Sequence, residues 1–267
     1  MEFHFTDPYR PGRSPVHDLS ARVKFILGLA LIVATSLMPM GAWPAYVLVL
    51  SLTLSVSLVA NLGIRYLLVR SALASPFLLA AVTVIFTTPG PLWFHVALGP
   101  WLVPVTVPGV VRFLSIAFKS WLSVQAAILL TATTPFPELL MAMRALHVPR
   151  LLVAIFGLMW RYLALLADEA LRLSRARDAR SAQGSVPPAW NERRMVWQAQ
   201  VTGGMVGNLF LRSLDRGERV YAAMAARGYT GELRGFPLPG VRRSEGVILV
   251  LGLAGLSALV VLAYAVT

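Results

Sequence analysis

A chain of 267 residues that is 57% hydrophobic and only 13% charged lies well outside the composition of soluble domains, in which about 25% of residues are charged. A formal net charge of +12 would suggest nucleic acid as partner in a soluble protein; in so apolar a chain it is explained by arginines that hold inner loops in place, and no nucleic-acid partner is expected. The sequence has no cysteine, which excludes a disulfide framework and a cysteine-based metal site.

The first 24 residues are polar, with Arg10, Arg13, Arg22 and Lys24. They read as a cytoplasmic arm that ends in a short surface helix, with no cleavable signal peptide. His4 and His17 lie in this arm, too isolated for the clustered ligands a metal site requires. Val23 to Pro39 is the first apolar run, and its 17 residues just span a bilayer core of about 30 Å. Pro39, Gly41 and Pro44 mark a turn. Ala45 to Leu62 is the second run, and Arg65 and Arg70 return the chain to the inner side. Leu67 to Phe86 is the third, with a kink expected at Pro76.

Thr87 to Gly109 holds five prolines, three glycines and two tryptophans, and no Asp, Glu, Lys or Arg. It reads as an outer loop, with Trp93 and Trp101 suited to the membrane interface. His95 there reads as one more interfacial side chain. Val110 to Thr133 is the fourth run. Lys119 lies deep within it, where a charge costs about 3 kcal/mol, so it must snorkel or meet a protein neighbour; a residue on an ion path is the competing reading.

Pro135 to His147 is short and amphipathic. Leu151 to Ala167 is apolar enough to cross, but a crossing here would put the following arginines outside, against the positive-inside rule. Arg161 also lies within the run. The expectation is that this segment does not cross and continues as one long helix toward Arg180. Asp168 to Arg243 then carries thirteen of the 24 Lys and Arg residues. Asp168 to Gln183 reads as helix, with Gly184, Pro187 and Pro188 ending it. Further helices are predicted over Trp190 to Gln200 and Arg212 to Ala226. Gly203, Gly204 and Gly207, between them, suit close backbone approach, and Gly228 is a predicted C-cap. Gly246 to Val266 is the last span, which places the C-terminus outside.

No catalytic set is evident. The chain has no phosphate-cradling Gly-x-x-x-x-Gly-Lys-Ser/Thr and no His-Glu-x-x-His. The near absence of carboxylates from the spans argues against an ion-coupled secondary transporter, which often keeps ionisable groups at mid-membrane. What remains is Arg180 and Arg227, each near the end of a helix. A guanidinium there can bridge a partner's carboxylate in two places, or can simply complement its own helix dipole.

The run Gly203-Gly204-Met205-Val206-Gly207-Asn208-Leu209-Phe210-Leu211-Arg212-Ser213, followed by Gly217-Glu218-Arg219-Val220-Tyr221-Ala222-Ala223-Met224-Ala225-Ala226-Arg227-Gly228-Tyr229, closely resembles the transmembrane T component of energy-coupling factor (ECF) transporters, most of all its cobalt-type branch, CbiQ. Ser14-Pro15-Val16-His17, Arg22-Val23-Lys24, Thr133-Thr134-Pro135 and Arg161-Tyr162-Leu163 fit the same pattern. The resemblance implies an all-α integral membrane protein with about five transmembrane helices plus cytoplasmic coupling helices, set in the inner membrane as a multi-pass protein. It divides the chain into residues 1–134 (arm and first four spans), 135–245 (cytoplasmic coupling helices) and 246–267 (last span).

The resemblance also implies two Ala-Arg-Gly boxes that dock into two ATP-binding ATPase subunits. The second is Ala226, Arg227 and Gly228. The first matches Ala179, Arg180 and Ser181, with serine in place of glycine; Ala182-Gln183-Gly184 is the competing match and lacks the arginine. The implied partners are those two ATPases, a substrate-binding membrane subunit of the cobalt or nickel type, and the lipid bilayer. No cofactor is expected in this chain, since ATP belongs to the partner subunits, and no catalytic or metal-ligating residue is expected. A vitamin-type T component and a self-sufficient secondary transporter are the alternatives.

Overall fold

A computed structural model describes residues 9–72, 75–98, 101–181, 192–229 and 242–266. The chain divides into two compact units, residues 1–145 with 238–267, and residues 146–237.

The first unit opens with a four-residue helix, α1 (Pro15–Asp18), whose Ser14 cap accepts the His17 backbone N–H at 3.3 Å. The His17 ring closes the same turn, with Nδ1 2.7 Å from Ser14 Oγ and Nε2 3.1 Å from the Arg10 carbonyl. α2 (Ala21–Leu37) and α3 (Trp43–Val59) follow, each 17 residues long. The third apolar run is not one kinked helix. It is broken into α4 (Ile64–Ser71), α5 (Ser75–Ala81) and α6 (Thr83–Thr87). Pro76 stands in the first turn of α5, where a missing N–H costs nothing, so it starts a helix instead of bending one.

The segment expected as an outer loop pairs into an antiparallel hairpin of β1 (Leu92–Leu98) and β2 (Trp101–Thr106). The aromatic and β-branched residues that marked it as interfacial also favour extended backbone. Pro104 is tolerated because a two-stranded ribbon consists of edges. Apart from this hairpin the regular elements among the described residues are helices.

α7 (Val107–Thr133), 27 residues long, is the helix against which α2, α3, α4, α5 and α6 pack. Thr106 caps it, accepting from the Gly109 N–H at 3.2 Å and donating to the Thr88 carbonyl at 2.9 Å. A methyl group on Gly109 would lie 2.5 Å from the Ile85 carbonyl oxygen, so only glycine lets α6 and α7 approach this closely. α8 (Phe136–Ala145) was expected with the polar segment. It packs instead on α2, burying Leu139, Leu140 and Ala142. α11 (Arg243–Val266) closes the unit against α2 and α3.

Two apolar clusters form the core. Met38, Tyr46, Val49, Leu122 and Ala263 belong to one, and Leu62, Leu67, Leu129 and Ala132 to the other. Two polar contacts link helices across this core: Thr53 donates to Gln125 Oε1 at 2.9 Å and Trp121 Nε1 to Ser71 Oγ at 2.7 Å. Lys24 is buried and donates to the carbonyls of His17 at 3.2 Å and Thr133 at 3.0 Å, which ties the arm to the end of α7. Lys119 donates to the carbonyls of Ser36, at 3.2 Å, and Met38. The last turn of α2 leaves its carbonyls without intrahelical partners, and this ammonium satisfies two of them.

The second unit holds two long helices, α9 (Arg150–Ser181) and α10 (Glu192–Ala226), of 32 and 35 residues. α9 is the single continuous helix expected toward Arg180. The two helices expected within Trp190 to Ala226 are one. Gly203, Gly204, Gly207 and Gly217 all lie inside it, although each costs about 1 kcal/mol relative to alanine. Among the described residues, nothing but the helix's own adjacent backbone comes within 4 Å of a Cβ built on any of the four, so they show no close approach like the one expected at the first three.

By length and composition α7, α9 and α11 are long and apolar enough to cross a membrane, and α3 is a shorter apolar helix. The protein is an all-α membrane protein in that sense, with a small hairpin added.

Candidate functional site

Ala179, Arg180 and Ser181 are the last three residues of α9. Ala179 and Arg180 are exposed. Arg180 therefore stands where the final carbonyls of the helix leave partial negative charge, a position that favours a cation. The competing box, Ala182-Gln183-Gly184, lies outside the described residues.

The second box is built by a helix end of defined geometry. Ala226 is the last residue of α10, and Gly228 has φ +77°. The Gly228 N–H donates to the Ala225 carbonyl at 2.9 Å and the Tyr229 N–H to the Met224 carbonyl at 3.0 Å. This pair of bonds is a Schellman motif, in which glycine takes the left-handed conformation at no steric cost. Arg227 is thus the C-cap residue, one position beyond the final helical turn expected for it. Its side chain is exposed, and the motif fixes the backbone on both sides of it.

Sequence reasoning missed the group that joins the two helices. Glu169, in α9, accepts from Arg212 Nη1 at 3.3 Å and from Arg216 Nη2 at 3.0 Å. Its side chain is only 13% exposed. Arg212 and Arg216 are four residues apart and so share one face of α10. The hydrogen bond from Arg212 holds the Glu169 carboxyl below its ordinary value; burial works against this, and Arg216 adds to it. The available signal was an acid facing an arginine pair at helical spacing, but nothing local marks which acid that is.

The unit also presents apolar side chains. Met195, Val196, Trp197, Phe210, Leu211 and Tyr221 of α10 are exposed. Among the described residues no group of three or more His, Asp or Glu residues is placed to hold a metal ion. Two exposed guanidinium groups, at the ends of two ion-paired helices, can each make a bidentate contact to a carboxylate or a phosphate.

The profile of the family described as "Cobalt transport protein" (CbiQ) matches residues 12–236. The chain belongs to the CbiQ family. It is 29% identical over 223 residues to the cobalt transport protein CbiQ of Salmonella typhimurium, an alignment that covers 78% of this chain and 90% of the relative. It is 26% identical over 234 residues to the energy-coupling factor transporter transmembrane protein EcfT of Lactococcus lactis subsp. cremoris, covering 84% and 83%. To the nickel permease LarQ of Lactiplantibacillus plantarum it is 30% identical over 145 residues, half of each chain. The family profile runs through both boxes and ends beyond the Schellman motif. This CbiQ-family chain is the membrane component of a transporter.

Proposed function

We propose that this chain is the transmembrane coupling subunit of an ECF-type ABC importer. Two ATPase subunits close on ATP and push on Arg180 and Arg227. α9 and α10 pass the motion to a separate substrate-binding membrane subunit that carries cobalt or nickel. The chain itself performs no catalysis, and ATP is held by its partners. The polar stretch, the N-terminus and both boxes face the cytoplasm. The apolar half of α9 is not a crossing, because a crossing there would carry the arginines to the wrong side.

The observation that carries this reading is Arg227, exposed on a helix end whose capping geometry fixes the backbone around it. The names of the relatives supply the cargo class, and the EcfT relative supplies the partner class.

The test is Arg227→Ala in the intact complex. Uptake driven by ATP is expected to be lost, with membrane insertion unchanged; wild-type uptake would refute the coupling role. A vitamin-type importer, with the same mechanism and a different cargo, is the second reading. Co-purification with the substrate-binding subunit, followed by metal analysis, separates the two: bound cobalt or nickel supports the first.

A further inference from the structure

The ion pair between α9 and α10 has a geometry that bears on how two boxes can act together. Glu169 lies 11 residues before Arg180, and Arg216 lies 11 residues before Arg227. At 1.5 Å per residue each box stands roughly 16 Å along its own helix from the same ion pair. The two arms are equal. The pair is also sheltered: the Glu169 side chain is 13% exposed and that of Arg216 is 30% exposed. One carboxylate serves two guanidinium groups from successive turns of α10, so both of its oxygens are used. Two bonds to adjacent turns resist rotation of α10 about its axis as well as separation of the helices. A single bond would resist separation alone.

We propose that Glu169 is a positioning residue, a clasp that makes α9 and α10 one lever, so that displacement of either box is transmitted to the other. This inference rests on the coupling function proposed above. A structural alternative is that the pair only adds stability to the fold. Charged pairs with a sheltered carboxylate have direction and partner specificity, and substitutions along a coupling route that touch neither ligand modulate the coupling.

The test uses the complete complex, co-purified with its ATPases and its substrate-binding subunit and reconstituted in liposomes. The variants are Glu169→Gln and the exchanged triple Glu169→Arg, Arg212→Glu, Arg216→Glu. Spin labels on the exposed positions Ala176 and Ala223 report the separation of the arms. In Glu169→Gln the subunits are expected to co-purify in wild-type ratio and ATP hydrolysis to persist. Metal uptake per ATP should fall about tenfold, within the range such couplings carry, and the label distances should broaden. The exchanged triple should restore both. An unchanged ratio of uptake to hydrolysis in Glu169→Gln overturns the clasp. So does failure of the triple to restore coupling, or loss of subunit association in step with loss of uptake. If Arg227→Ala abolishes uptake and Glu169→Gln leaves coupling intact, the clasp alone fails. If Arg227→Ala also has no effect, the coupling function fails with it.

Discussion

Glu245 Oε1 accepts the backbone N–H of Ser20 at 3.1 Å, across 225 residues of chain. Its other oxygen accepts the Arg242 N–H at 3.0 Å. Ser20 caps α2 and Arg242 immediately precedes α11, so one buried carboxylate satisfies a free donor at the start of each of two packed helices. Both helix N-termini also carry partial positive charge, which favours the anion. Replacing Glu245 with alanine leaves both donors without their acceptor. The expected cost is about 2 kcal/mol, read as a fall of about 5 °C in the melting temperature of the purified protein in detergent.

Lys119 tests the difference between a structural and a transporting role. Its ammonium meets the last carbonyls of α2. Lys119→Met is expected to lower thermal stability by about 1 kcal/mol, since it takes the ammonium from the exposed Ser36 carbonyl and the part-buried Met38 carbonyl. ATP-driven uptake per assembled complex should remain. Loss of uptake in a complex of unchanged stability would return Lys119 to an ion path.

Gly228 occupies a conformation that a side chain makes costly. Gly228→Ala should destabilise the end of α10 by about 1 kcal/mol and loosen the backbone around Arg227. Amide hydrogen exchange at Tyr229, whose N–H closes the motif, should accelerate. Uptake should fall less than in Arg227→Ala, because the guanidinium is still present.

Gly109 allows α6 to lie against α7. In Gly109→Ala the added methyl group meets a backbone carbonyl, which cannot rotate away as a side chain could. An overpacking cost of about 1–3 kcal/mol is expected, measured as a lower denaturation midpoint. Thr106→Ala, which removes the cap and the hydrogen bond to the Thr88 carbonyl, should cost about 1–2 kcal/mol.

The Glu169 carboxyl has a lowered pKa, first through the hydrogen bond from Arg212. A group held below its ordinary value contributes its full effect above that value and loses it as pH falls through the folded-state value. The separation of labels on Ala176 and Ala223 should therefore be constant around neutrality. It should broaden only below the ordinary carboxylate range. Broadening that begins near neutral pH would point to a different group.

Much of the architecture was legible because it rests on local chemistry. Apolar runs of spanning length marked α2, α3, α7 and α11, and the crowding of arginines after Asp168 marked the polar unit. Gly228 announced the end of α10, since few residues other than glycine accept a left-handed backbone. The continuity of α9 toward Arg180 was legible in its run of Ala, Leu and Arg, all good helix formers. Each of these needs only neighbours in sequence, or a charge balance over a segment.

What the tertiary structure decided is how distant groups meet. Glu169 was one acid among several in the polar stretch until Arg212 and Arg216, 43 and 47 residues away, were seen to face it. Nothing near Glu245 in sequence marks it as the acceptor of the Ser20 N–H. Lys119 was a charge in the wrong place until it met the carbonyls of Ser36 and Met38. The pairing of β1 with β2 and the docking of α8 on α2 belong here too. Hydropathy and backbone preference act within a few residues, whereas the partner of a buried charge is set by packing, which sums contacts over the whole unit.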